Sequence, residues 1–368
     1  MASRPILRVA VSGLHLGENC QPGPGVIRSL REAYGARIHV VGLGYDALDS
    51  GLHAEGLVDD AFLLPYPSHG PEAFVRRLEE IHATTRFDVL IPCLDVELPV
   101  LLRVADRLRE LGIAFVAPSE ASLGRCSKDR LPELAAACGV ATPVTRRIVD
   151  GAGLAAAGRE LGFPMVVKGP FYEADVVQGP TEAAASFARL AAKWGLPLLA
   201  QQFVAGEEFN VIALGDGEGG VHGPVAMRKT VITRLGKAWG GVTVEDDDLT
   251  ATATKLVAAL RWRGGCEVEM LRARADGRLH LIEINPRFPA WVHLATRAGV
   301  NLPLGLVRLA RGERPPRYKA PPPGVWYVRH AIELFGDQSD LECLLATARR
   351  RGAGTHQLAS DESPRGDR

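Results

Sequence analysis

Leu281-Ile282-Glu283-Ile284-Asn285-Pro286-Arg287 places a carboxylate, a carboxamide and a guanidinium at alternate positions of an otherwise apolar, strand-like run. With a two-residue side-chain period, Leu281, Glu283, Asn285 and Arg287 share one face, while Ile282 and Ile284 point the other way. A buried carboxylate without a partner costs roughly several kcal/mol, so the polar face must meet a metal ion, a phosphate or a basic group.

The segment before it supplies a neighbour. Cys266-Glu267-Val268-Glu269-Met270-Leu271 leads into Ala275-Asp276-Gly277, which reads as a hairpin with a three-residue loop and glycine at the left-handed position. That register sets Glu269 directly opposite Glu283. A two-residue Asp-Gly loop would set it opposite Ile284, and a one-residue slip would turn the carboxylate to the wrong face. Two carboxylates and the Asn285 amide oxygen form a hard donor set suited to Mg²⁺, which keeps waters and takes phosphate oxygens as further ligands. The alternative is an ion-pair array with Arg287, Arg272 or a lysine.

Composition bounds the surroundings. The chain has 368 residues, 46% hydrophobic and 23% charged, long enough for two or three domains. Lys plus Arg equals Asp plus Glu at 43 each, so no global field recruits nucleic acid or an anionic membrane, and any anion site is built locally. The six cysteines show no CxxC spacing, which points away from a zinc site or disulfide framework and towards a reducing, cytoplasmic setting. No apolar run approaches the roughly 20 residues of a membrane span, and the N-terminus lacks a signal-peptide apolar core.

From Leu7 to about Ala117, apolar runs at Leu7–Val11, Ile38–Val41, Asp88–Pro92 and Ile113–Val116 alternate with amphipathic segments, a parallel α/β pattern. The loop Ser12–Gly25 is glycine-rich, but it lacks GxGxxG spacing and carries Pro22 and Pro24. It reads better as a substrate-facing loop, or simply a tight crossover, than as a dinucleotide site. Ser119 and Ser127 are candidate helix N-caps. Beyond Pro143 the pattern becomes α+β with antiparallel sheets. Strands are expected at Pro164–Lys168, Leu198–Val204, Phe209–Leu214, His222–Met227, Gly265–Leu271 and Leu279–Ile284, and helices at Thr181–Lys193 and Leu249–Trp262. A last strand candidate is Val325–Leu334. The division expected is 1–117, an α/β domain; 118–312, split at 195/196; 313–351, a segment packing on the core; and 352–368, a polar disordered tail.

Three further segments bear on the acidic pair. Phe163-Pro164-Met165-Val166-Val167-Lys168-Gly169 ends an apolar strand in a lysine. Gln201-Gln202-Phe203-Val204-Ala205-Gly206-Glu207-Glu208-Phe209 joins two strands through a glycine, and Ser127-Lys128-Asp129 opens a helix. Each alone is ordinary: a snorkelling lysine, a turn with exposed acids, a solvated first turn. Together, in this order, they resemble the ATP-grasp superfamily over Ser119 to about Asn301, and the preceding α/β segment resembles the domain those enzymes carry before it.

The resemblance implies an ATP-grasp fold of carboxylate-amine ligase type, related to carbamoyl phosphate synthetase and biotin carboxylase. In it, Lys128 and Lys168 contact ATP phosphates, Gln201, Gln202, Phe203 and Val204 form the adenine hinge, and Glu208 holds the ribose. Glu269, Glu283 and Asn285 bind Mg²⁺, for which Mn²⁺ can substitute. Arg287 contacts the transferred phosphoryl group or the substrate carboxylate, and Lys229 best matches a further phosphate-contacting position. Two departures stand out: Gly169-Pro170-Phe171-Tyr172-Glu173-Ala174-Asp175 replaces the usual glycine-rich phosphate loop, and Gln202 stands where many relatives have Glu. Gly169–Gly179 and Leu235–Val242 are candidate lids. Glu245-Asp246-Asp247-Asp248 precedes a helix and needs no metal, and His293 is expected to pack rather than react.

The implied activity is ADP-forming ligation of a small carboxylate to an amine through an acyl phosphate, on amino acids or a small peptide, with no nucleic-acid or membrane partner and a homodimer allowed. Bicarbonate activation and a non-catalytic ATP sensor are the alternatives. Ser12–Gly25, Tyr172 and the surroundings of Trp239 are the candidate substrate contacts.

Overall fold

The computed structural model describes residues 6–17, 19–169, 173–233 and 236–351. Tyr172, part of the expected lid at 169–179 and the tail 352–368 lie outside the described residues.

The N-terminal part contributes β1 (Leu7–Val11), β2 (Ile38–Gly44), β3 (Asp60–Leu63), β4 (Val89–Ile91) and β5 (Ala114–Phe115). All their pairings are parallel, in the order β3-β2-β1-β4-β5. These strands are buried on both faces, as a parallel sheet sandwiched by helices requires. The helix Gly23–Tyr34 lies on one face and the helix Pro71–Thr85 belongs to the core on the other. Strand β3 has no counterpart in the sequence reading, because its four residues follow a run of irregular turns.

Next come β6 (Thr145–Ile148), β7 (Met165–Lys168), β8 (Ala174–Val177) and β9 (Leu198–Gln202), which form one antiparallel sheet ordered β6-β9-β7-β8. Helices Gly151–Leu161 and Pro180–Trp194 cover one face through Leu154, Ala157, Ala183 and Leu190. The expected split at 195/196 needs correcting here: β9 pairs with β6 and β7, so this sheet draws a strand from beyond the boundary. The residues before β6 depart from it too. Leu131, Leu134 and Cys138 pack in the core of the following sheet. Ser119 caps a helix as expected, accepting from the Ser122 N–H at 3.1 Å, whereas the Ser127 hydroxyl donates to the Gly124 carbonyl. The helix after Lys128 therefore starts only at Leu131, ahead of Pro132.

The last sheet holds β10 (Gly206–Asp216), β11 (Val221–Ile232), β12 (Ala238–Thr243), β13 (Arg263–Ala273), β14 (Leu279–Asn285) and β15 (Trp326–Val328), ordered β14-β13-β10-β11-β12-β15 and antiparallel throughout. Finally β16 (Arg349–Arg351) returns to pair antiparallel with β3. Segment 313–351 thus runs from the edge of this last sheet back to the N-terminal one, and Leu344 is fully buried on the way.

Alternation in the six-stranded sheet divides its residues cleanly. Phe209, Val211, Ala213, Ala226, Cys266, Val268 and Met270 face the helix Asp247–Ala259 and the helices before β6. Ile212, Leu214, Val225 and Met227 face the N-terminal domain and share its core. That second face is apolar at one end and polar at the other, and the polar end carries Glu208, Asn210, Lys229, Glu267, Glu269, Glu283 and Asn285.

The expected lid at 235–242 is largely β12, which lies between two partner strands. Its Gly241 admits the close approach of Met227, whose Sδ would lie 2.3 Å from an added Cβ. Strand β8 likewise replaces part of the other expected lid by pairing with β7.

Candidate active site

The ladder between β13 and β14 sets Glu267 opposite Asn285 and Glu269 opposite Glu283. The expected cross-strand pair is therefore present, reached by a different route. The ladder ends at Arg272–Leu279, and Ala273 closes onto the Arg278 carbonyl at 2.9 Å, so four residues, 274–277, form the loop. The register then shifts between Glu269 and Met270, and Ile282 is the extra residue of a bulge. A loop one residue longer and a bulge of one residue compensate each other. The bulge also corrects one assignment: Leu281 does not share the face of Glu283 but packs with Ile284 in the apolar core, 0% exposed. Ile282 instead lines a cleft with Lys128, Lys168, Leu199, Gln201 and Thr145.

Each acid of the pair meets a lysine. Glu283 lies 3.3 Å from Lys128 Nζ. Glu269 accepts from Lys229 Nζ at 3.2 Å and from Asn285 Nδ2 at 2.8 Å. Lys229 is 4% exposed at its side chain and also donates to Glu208 at 2.7 Å. Burial works against the Lys229 charge, but Glu269 and Glu208 outweigh it and hold its pKa above the ordinary lysine range. Burial likewise favours a neutral Glu269, yet Lys229 and Lys237 outweigh it and hold Glu269 ionised.

Lys168, at the end of β7, is the opposite case. Burial dominates and lowers its pKa, with Lys128 adding to the fall and Glu283 opposing it. It projects from the face of β7 opposite Met165 and Val167, whose side chains lie in the core under that sheet.

Glu267 was not singled out from the sequence, although the same two-residue period that selected Glu269 places it on the same face. It is 4% exposed and accepts from Asn210 Nδ2 at 2.6 Å, Trp291 Nε1 at 2.6 Å and Asn285 Nδ2 at 3.0 Å. Burial, followed by the Glu269 charge, pushes its pKa up. Arg287 sits between two acids: its Nε is 3.0 Å from Asp95 Oδ1, and its Nη1 is 3.8 Å from Glu267. Asp95 comes from the N-terminal domain, distant in sequence, and no local pattern announced it.

The hinge residues connect β9 to β10. Gln201 is 8% exposed and donates to the Thr145 hydroxyl, and the Gln202 N–H bonds the Val144 carbonyl at 2.8 Å. Phe203 is exposed. His293 bonds Glu32 at 2.7 Å and so ties the helix Val292–Arg297 to the N-terminal domain. Asp246 caps the helix at Asp247–Ala259 and pairs with Arg272.

Beyond the Glu269–Glu283 pair a cavity of about 300 Å³ opens, walled by Asn19, Cys20 and Gln21 from the first loop, by Asp95 and Arg287, and by Lys237, Trp239 and Arg329. The expected substrate contacts at Ser12–Gly25 and Trp239 meet there.

Comparison with known proteins bears on the fold that carries these residues. Residues 196–331 match a family model described as ATP-grasp in the biosynthetic pathway with Ter operon. A phosphoribosylamine–glycine ligase of Synechocystis sp. is 32% identical over 127 residues, which is 33% of this chain and 30% of that protein's length. Among solved structures, the Campylobacter jejuni biotin carboxylase bound to an ATP analogue superposes with a TM-score of 0.68 at 15% identity, over 85% of this chain and 73% of that one. The MgADP- and bicarbonate-bound biotin carboxylase domain of Hydrogenobacter thermophilus 2-oxoglutarate carboxylase gives 0.66 at 18% identity, covering 86% and 72%. The L-amino acid ligase of Bacillus licheniformis gives 0.62 at 18% identity, covering 86% and 76%. The chain has the ATP-grasp fold.

Proposed function

We propose that this protein is an ATP- and Mg²⁺-dependent, ADP-forming ligase that joins a small carboxylate to an amine through an acyl phosphate. One observation carries the reading: the lysine pair Lys128 and Lys168 meets the acidic pair Glu269 and Glu283 at the mouth of a cleft between two antiparallel sheets, and a second, mixed-charge cavity opens beyond them.

The donor set fits Mg²⁺. Glu269 and Glu283 face each other across one ladder step on one face, and Asn285 follows on that face. The lysines they touch are the cations expected where phosphates and metal would share the charge. Glu269, Glu283 and Asn285 would hold the ion, which when bound neutralises phosphate charge and polarises the transferred group. Gln201–Val204 would border the base, Glu208 the ribose, and Lys128, Lys168 and Lys229 the phosphates.

In-line attack of a carboxylate on the γ-phosphate brings two anions together, so cations must hold the equatorial oxygens and fix the line of approach. Lys168, at the end of a strand of the four-stranded sheet, would hold the phosphoryl oxygens, and Arg287, just after β14, would hold the carboxylate in line. Arg287 is held by Asp95 and Glu267, which aims its guanidinium. The acyl phosphate then accepts the amine and phosphate leaves. Trp239 and the first loop wall the cavity where the intermediate would form, and the intermediate requires water to be kept from it.

ADP release measured against a panel of amino acids, with and without bicarbonate, tests the reading. Amine-dependent release supports ligation. Release that depends on bicarbonate alone would assign the site to bicarbonate activation, and tight ATP binding without turnover to a sensor.

A further inference from the structure

Resting on the ligase reading and extending it to the substrate, we propose that Arg329 is a specificity-determining residue that receives a carboxylate of the substrate which takes no part in the reaction. The cations around the cavity differ in how they are neutralised. Arg287 is matched by Asp95 and Glu267, and Lys229 by Glu208 and Glu269. Arg329 forms no ion pair with a carboxylate among the described residues. Its guanidinium lies 5.4 Å from the centre of the Tyr327 ring, and its Nε is buried without a hydrogen-bond partner.

The backbone that carries it is nevertheless firmly placed. Its backbone N–H bonds the Trp239 carbonyl at 2.9 Å, just beyond the β12–β15 ladder, and the Tyr327 hydroxyl beneath it donates to the Ala238 carbonyl at 3.2 Å. Arg329 therefore lines the cavity from the edge strand, whereas Arg287 lines it from the residues after β14. A guanidinium beside an aromatic ring, partly desolvated and without a carboxylate counter-ion among the described residues, is matched in shape and charge by a carboxylate taken in a bidentate fork.

Two anion stations supplied by different segments imply a substrate set with two carboxylates: the one that is activated near Arg287, and one that is only recognised. The second is carried either by an amino acid serving as the amine or by a dicarboxylic acid. Both sources share the same chemistry at Arg329.

The test is calorimetric titration of the full chain, loaded with magnesium and a non-hydrolysable ATP analogue. The probes are the common amino acids against their α-carboxamides, and short dicarboxylic acids against their monoamides. The expected result is at least one acid that binds roughly 10- to 100-fold more tightly than its amide. That preference should collapse in Arg329→Gln and partly persist in Arg329→Lys, while affinity for the nucleotide analogue stays unchanged in both. Which probe class shows the preference identifies the source of the carboxylate. Equal binding of acid and amide, a preference that survives in Arg329→Gln, or no binding of any acid would overturn the proposal. Failure of the nucleotide analogue to bind would instead strike the ligase reading, since carboxylate preference can be titrated without it.

Discussion

Glu283 and Glu269 sit directly opposite each other on the same face, yet each is charge-compensated by a different lysine, Lys128 for one and Lys229 for the other. If these acids hold Mg²⁺, Glu283→Gln should reduce magnesium-dependent ADP release to background and leave the far-UV circular dichroism and melting curve close to those of the parent. Near-normal turnover would remove Glu283 from the site. Lys168 supplies a pH signature. Burial lowers its pKa, so its charge is lost at a lower pH than that of an exposed lysine, roughly 10.4. A phosphate contact made by Lys168 is present while the lysine is protonated and fades as pH rises. ATP affinity measured across alkaline pH should thus decline before ordinary lysines titrate, and Lys168→Arg should extend the plateau because the guanidinium stays charged. Coincident profiles for the two proteins would show that Lys168 does not touch the phosphates.

At the scale of elements, the bulge at Ile282 decides which residues of β14 face the site. Leu281 is fully buried beside Ile284, and Ile282 reaches the cleft. Deleting Ile282 would remove the bulge and leave a regular ladder, with Leu281 still opposite Met270 on the core side and Glu283 still opposite Glu269 in the site. The expected cost is small, about 1 kcal/mol, read as a denaturation midpoint close to the parent's with magnesium dependence retained. A midpoint lowered by about 2–4 kcal/mol, with magnesium dependence lost, would mean that the strand slips in register instead and carries Leu281 or Glu283 to the wrong face. The same strand shows where sequence reasoning succeeds and stops. Alternate polar residues at Glu283 and Asn285 were legible because a two-residue period is a local property. The bulge was not, since a loop one residue longer and a bulge of one residue yield the same Glu269–Glu283 pair as a shorter loop without a bulge. Strands Thr145–Ile148 and Ala238–Thr243 were missed for a related reason: Arg146, Arg147, Gly240 and Gly241 break the apolar signal, and pairing with neighbouring strands decides their state.

At the scale of the whole molecule, the site is assembled from all three sheets. The N-terminal domain shares one core with the apolar end of the six-stranded sheet and sends Asp95 to Arg287 at 3.0 Å. Such long-range partners carry no sequence signal, which is why Asp95, Asn210 and Arg329 could not be read from patterns that identified Lys128, Lys168 and Glu269. Asp95→Asn keeps the shape but removes the charge that aims Arg287. It should raise KM for the carboxylate substrate about tenfold and leave ATP affinity unchanged in parallel titrations. Equal losses of both would indicate a general disturbance of the domain contact.

The central claim is that a carboxylate attacks ATP in this cleft. The most direct measurement uses the acid that supports amine-dependent ADP release, labelled with ¹⁸O in its carboxylate, and follows the label into products by mass spectrometry. Acyl-phosphate chemistry predicts one ¹⁸O atom in inorganic phosphate for each ADP and amide formed. Phosphate free of the label, with amide still accumulating, would contradict the account.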